Sequence, residues 1–110
     1  SKSASLGYGL LCYNAIEMLK KGASKNEIVS YVENNKLKVN HWFTVEDLNH
    51  LKRGGRVSST AAIIGTLLDI KPVLHVDNEG RLIPVSKVKG RKKSLRVLAD
   101  MLKERITDPE

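Results

Sequence analysis

The chain has 110 residues, 41% apolar and 5% aromatic, with 19 basic against 12 acidic side chains and a formal net charge of +7. That length supports one modest core built from aliphatic side chains. No run approaches the roughly 20 apolar residues that span a bilayer, no secretory signal precedes the first helix and the single cysteine rules out an internal disulfide framework, so a cytoplasmic protein is expected.

Ser5-Leu6-Gly7-Tyr8-Gly9 opens an apolar run to Leu19. Leu6, Leu10, Tyr13 and Ile16 follow one helical face and Leu11, Ala15 and Met18 a second, so this helix needs cover on two sides. Cys12 in that run reads as a small buried hydrophobe. Lys20-Lys21-Gly22 supplies a basic last turn and a stop. Ser24 and Glu27 have the spacing of a capping box for a second helix, whose buried stripe is Ile28, Val29, Tyr31 and Val32. His41 to Val45 favours a strand, and Glu46 to Lys52 a short helix.

Leu51-Lys52-Arg53-Gly54-Gly55-Arg56-Val57-Ser58 then hands a basic turn to an apolar segment, Thr60 to Leu68. One of the two glycines is expected at positive φ. The turn suits a phosphate or carboxylate at the mouth of an apolar pocket; a helix C-cap with solvated arginines explains the same residues. Ser58 or Ser59 can cap a third apolar helix, within which Gly65 permits close packing. Residues 71–76 and 81–85, joined by Asp77-Asn78-Glu79-Gly80, read as a β-hairpin. Pro72 and Pro84 point to strand ends or an edge. Lys93 to Ile106 closes the chain as an amphipathic helix with Leu95, Leu98, Ala99, Leu102 and Ile106 inward.

Residues 81–96 carry Arg81, Lys87, Lys89, Arg91, Lys92, Lys93 and Arg96 with no acid, and the remaining 12 basic residues match the 12 acidic ones. This stretch suits nucleic acid, phosphate or an acidic protein partner, although it has no aromatic residue for stacking bases. His41, His50 and His75 lack partners at metal-ligand spacing. No serine sits in a Gly-x-Ser-x-Gly elbow. Gly7-Tyr8-Gly9 is only a fragment of a dinucleotide fingerprint, better explained by close helix packing.

Taken in order, Ser1-Lys2-Ser3-Ala4-Ser5-Leu6-Gly7-Tyr8-Gly9-Leu10, Val45-Glu46-Asp47-Leu48, Leu51 to Ser58, Leu67-Leu68-Asp69-Ile70-Lys71-Pro72-Val73-Leu74 and Lys87-Val88-Lys89-Gly90-Arg91-Lys92-Lys93 closely resemble the DegV family of bacterial fatty-acid-binding proteins. The resemblance spans the whole chain. It implies an α+β fold, an antiparallel hairpin or sheet packed with several amphipathic helices, as a fragment of a two-domain protein. Residues 1–40 would form a helical segment near the domain junction and 41–110 an α/β portion of the second domain. First-domain strands and the Ser/Thr segment that grips the carboxylate would precede Ser1, and a closing histidine and glycine-rich segment would follow Glu110.

Members hold one fatty acid, and some deliver it to a kinase subunit that phosphorylates its carboxylate for phospholipid synthesis; the carrier does no chemistry. The resemblance therefore implies a long-chain fatty acid as bound ligand, no other cofactor, no metal, no catalytic residue and no nucleic acid. Ile63, Ile64, Leu67, Leu68 and Ile70 would wall the acyl tail. Arg53, Arg56 and Arg91 would face the acyl phosphate and the kinase. A basic nucleic-acid-binding module and a structural fragment without a ligand are the competing readings.

Overall fold

The structure is a computed structural model that describes residues 1–57 and 70–107. The expected helix from Ser58 or Ser59 to Leu68, with Gly65 and the wall residues Ile63, Ile64, Leu67 and Leu68, lies outside the described residues. The described elements are α1 (Ser5–Lys20), α2 (Lys25–Asn35), β1 (Trp42–Thr44), α3 (Asn49–Arg53), β2 (Ile70–Val76), β3 (Leu82–Lys89) and α4 (Arg91–Arg105). The class is α+β. The backbone forms two compact units, Ser1–His41 with Asn78–Gly80, and Trp42–Asp77 with Arg81–Glu110.

In the first unit α1 packs on α2. Ser24 caps α2 through a complete box: its hydroxyl accepts from the Glu27 amide at 3.2 Å, and the Glu27 carboxylate accepts from the Ser24 amide at 2.7 Å. Asn14 Nδ2 donates to the Tyr31 hydroxyl across the helix pair at 3.2 Å. Only one of the two apolar faces expected on α1 is covered. Gly7 and Leu11 are buried, with Asn14, Ala15 and Met18 half-buried beside them, whereas Leu6, Leu10, Tyr13 and Ile16 are exposed. Cys12 is half-buried rather than sealed. On α2, Ile28, Tyr31 and Val32 are half-buried and Val29 is exposed, because this two-helix layer has just one inner surface.

The second unit is an antiparallel sheet in the order β1-β2-β3. The hairpin expected to end at Val85 runs on to Lys89, with Ile70 opposite Lys89. Register slips between Val73 and Leu74, leaving Val85 as an extra residue in the edge strand β3, next to Pro84. Pro72 departs from expectation, since it lies in the central strand. The register explains this: β1 stops at Thr44 opposite Val73, so among the described residues no strand flanks Pro72 on that side. The Thr44 hydroxyl donates to the Pro72 carbonyl at 2.7 Å. In extended backbone a residue's nitrogen and carbonyl point to the same side, so the missing N–H looks past the end of β1, where no ladder requires it.

Both sheet faces are covered. Leu74 meets Leu48 on one face, with Phe43, Val45, Leu51 and Val57 around them. On the other face α4 packs against all three strands, Trp42 stacks on His75 at 5.3 Å, and Arg105 lies 5.0 Å above the Trp42 ring. Helix α4 begins two residues earlier than expected. Its inner stripe is also rotated: Ser94 is buried and Val97, Leu98 and Met101 half-buried, while Leu95, Ala99, Leu102 and Ile106 are exposed. Small, fully buried Ser94, whose hydroxyl donates to the Arg91 carbonyl at 2.8 Å, lets the helix approach the sheet along that line.

Candidate functional site

Helix α3 starts at Asn49 rather than Glu46. The Asp47 carboxylate accepts from the Asn49 amide at 2.7 Å, an Asx turn that keeps residues 46–48 out of the helix. The helix ends in a Schellman motif. The Arg56 amide donates to the Leu51 carbonyl at 2.8 Å and the Gly55 amide to the Lys52 carbonyl at 2.9 Å. Gly55 takes φ +72° and Gly54 does not leave the helical region, so the expected positive φ falls on the second glycine. The C-cap explanation of the glycine pair is therefore correct locally, and it has a further effect. Leu48, Leu51 and Val57 root both ends of the turn in the sheet core, which leaves Arg53 and Arg56 exposed on an anchored bend. The Arg56 guanidinium donates back to the Gly54 carbonyl.

Arg91 is the first residue of α4, exposed, and follows Gly90 at φ +86°. It acts on Glu46, which joins the site from the loop before α3 and was not singled out by sequence. Lys71 in β2 is buried and donates to Glu46 Oε1 at 2.5 Å and to the Glu46 carbonyl at 3.4 Å. The hydrogen bond and charge of Lys71 hold the Glu46 carboxyl below its ordinary value of 4.5; Arg91 adds to this, while burial and Asp47 oppose it. Glu46 and Lys71 lie 25 residues apart, so no local spacing announces the pair. The three arginines share the second unit, and among the described residues no hydrogen bond or ion pair joins them directly. Ile70, the described member of the tail wall, is half-buried at the start of β2.

Because folding favours ionised Glu46, the pair's contribution is complete above the ordinary glutamate value and is lost as pH falls through the lowered native one. Urea midpoints from pH 7 to pH 3 are expected to fall more steeply in the native protein than in Glu46→Gln. Parallel curves would show that the pair does not set acid stability.

Among the described residues no group of three or more His, Cys, Asp or Glu side chains is placed to hold a metal ion, and no helix is long and apolar enough to cross a membrane.

The family described as "Uncharacterised protein, DegV family" matches residues 1–110. A DegV domain-containing protein of Clostridium perfringens is 56% identical over 109 residues, covering 99% of this chain and 38% of that protein. The crystal structure of the fatty acid binding DegV family protein SAG1342 from Streptococcus agalactiae superposes with a TM-score of 0.82 at 41% identity, over 99% of this chain and 38% of that one. The Streptococcus pneumoniae Fatty Acid Kinase (Fak) B3 protein, loaded with linoleic acid, gives a TM-score of 0.78 at 26% identity, over 86% and 34%. The chain thus spans little more than a third of the length of these relatives.

Proposed function

The chain belongs to the DegV family, and from that premise we propose that it is part of a cytoplasmic carrier that holds a long-chain fatty acid and presents its carboxylate to a fatty acid kinase subunit. In this reading Ile63, Ile64, Leu67, Leu68 and Ile70 supply wall to the acyl tail. Each methylene moved from water into that wall contributes about 0.8 kcal/mol. Arg53, Arg56 and Arg91 offer donors to the acyl phosphate and charge to the kinase, while the chemistry is the kinase's own. The observation that carries the reading is the arginine turn, rooted in the core by Leu48 and Val57 and followed in sequence by the apolar run 60–68.

The test uses the full-length protein. Mass spectrometry of the purified protein is expected to find co-purified fatty acid, and Ile64→Glu or Leu67→Glu to reduce it while circular dichroism stays native. Arg56→Ala and Arg91→Ala are expected to retain lipid but to slow kinase-dependent acyl-phosphate formation. Lysine at either position keeps charge without the planar fork and is expected to rescue incompletely. Wild-type rates in both alanine variants would remove the arginines from the docking surface. Undiminished lipid in both glutamate variants would move the pocket elsewhere.

A further inference from the structure

A second cationic feature lies on the α4 flank of the second unit. Lys89, at the end of β3, and Lys92, Lys93, Arg96 and Asp100 of α4 line an open cavity of about 530 Å³. Arg91 is not among the lining residues; its charge acts on Glu46 instead. The ion pairs among the described residues involve Lys20, Lys36, Lys71 and Arg81 and none of the four cavity cations, which outnumber the one carboxylate of the lining, Asp100. Helix α4 has no acid in its first turn and no side-chain cap. Lys92 and Lys93 therefore sit at the positive end of the helix dipole, an arrangement that costs stability until an anion offsets it.

The order of charges restricts the partner. Lys93, Arg96, Val97 and Asp100 follow i, i+3, i+4, i+7 spacing, one face of the helix, extending roughly 10 Å at 1.5 Å per residue. Positive charge fills one end, half-buried Val97 lies between, and a carboxylate closes the other end. A cavity of this volume exceeds what one small anion fills. A nucleic-acid backbone presents uniform negative charge and would meet Asp100 unfavourably. We infer that this cavity docks an amphipathic acidic helix of a partner protein, with glutamates or aspartates against Lys89, Lys92, Lys93 and Arg96 and a basic residue about two turns on against Asp100. The inference does not rest on the carrier reading, since no cavity residue belongs to the proposed tail wall or the arginine turn.

The test titrates the full-length protein by fluorescence anisotropy with three labelled probes: a synthetic helical peptide with glutamates in its first two turns and lysine in its fourth, the same peptide with glutamate replacing that lysine, and an oligouridylate. The mixed-charge peptide is expected to bind tightest. Lys93→Glu/Arg96→Glu is expected to weaken it about tenfold or more, the usual scale for reversing charges in a close complementary pair. Asp100→Lys is expected to invert the preference, so that the all-glutamate peptide binds better. That variant keeps the question open to refutation should the double reversal fail to fold. Unchanged affinity after the double reversal, an unchanged preference in Asp100→Lys, or tighter binding of the oligouridylate would each overturn the inference. Fatty-acid content of the same preparations reports separately on the carrier reading.

Discussion

Leu74→Ala is expected to destabilise the protein by about 2–5 kcal/mol, the range for deleting a sealed leucine side chain. Leu74 has no exposed surface, and its neighbour Leu48 is 1% exposed. Around them stand Phe43 from β1, Val45 from the loop before α3, Leu51 from α3 and Val57 from the arginine turn. These neighbours come from a strand, a loop, a helix and a turn, so the cavity cannot close by moving one side chain. The buried apolar side chains among the described residues are few, Leu11, Leu48, Pro72, Val73 and Leu74, which makes each a large share of a marginal total. Leu102→Ala is the control: at 63% exposure it is expected to change stability by no more than about 0.5 kcal/mol. Urea unfolding followed by tryptophan fluorescence checks both, with Trp42 as reporter. Equal shifts in the two variants would show that Leu74 is not the centre of the core.

Gly7→Ala is expected to cost about 1–3 kcal/mol, the usual penalty of overpacking. An added Cβ would lie 1.8 Å from Nε2 of His41 and 2.7 Å from two ring carbons. Among the described residues His41 Nε2, sealed from solvent, has no hydrogen-bond partner, and the next residue is already committed to β1, so the ring has little freedom to withdraw. Two residues along α1, Gly9 faces open space. Gly9→Ala is therefore expected to stabilise by about 0.5–1 kcal/mol through helix propensity alone. The same substitution two positions apart thus has opposite signs. Adding His41→Ala removes the obstacle and is expected to recover most of the Gly7→Ala loss, which a double-mutant cycle reads as coupling. If Gly7→Ala stabilises the protein, the close approach of His41 is wrong.

These contacts show where sequence reading succeeds and where it stops. The Ser24 and Glu27 box, the hairpin around Asp77 to Gly80 and the positive φ in the glycine pair are written in neighbouring residues, and local chemistry decides them. The inner stripe of α4 is not, because its apolar residues outnumber one face and the choice between them falls to the sheet it packs on. There, a small polar side chain, Ser94, sits deepest, while Ala99 is left exposed. Pro72 is legible as a strand breaker, but its tolerance depends on where β1 happens to end. At the candidate site the arginines announce themselves by motif, whereas the carboxylate between Lys71 and Arg91 is reached only once strand and loop are brought together across 25 residues. Gly7 hints at close packing, and the identity of its neighbour requires the fold.

The hydrogen bond from Arg56 to the Gly54 carbonyl gives that guanidinium a resting place inside its own turn. That bond engages one of the five N–H donors of the guanidinium and, among the described residues, leaves the parallel Nε and Nη2 pair uncommitted. An oxyanion would therefore not have to displace the carbonyl in order to be gripped. The turn instead holds the fork in one place beforehand, so that a doubly accepting group would find less side-chain freedom left to lose.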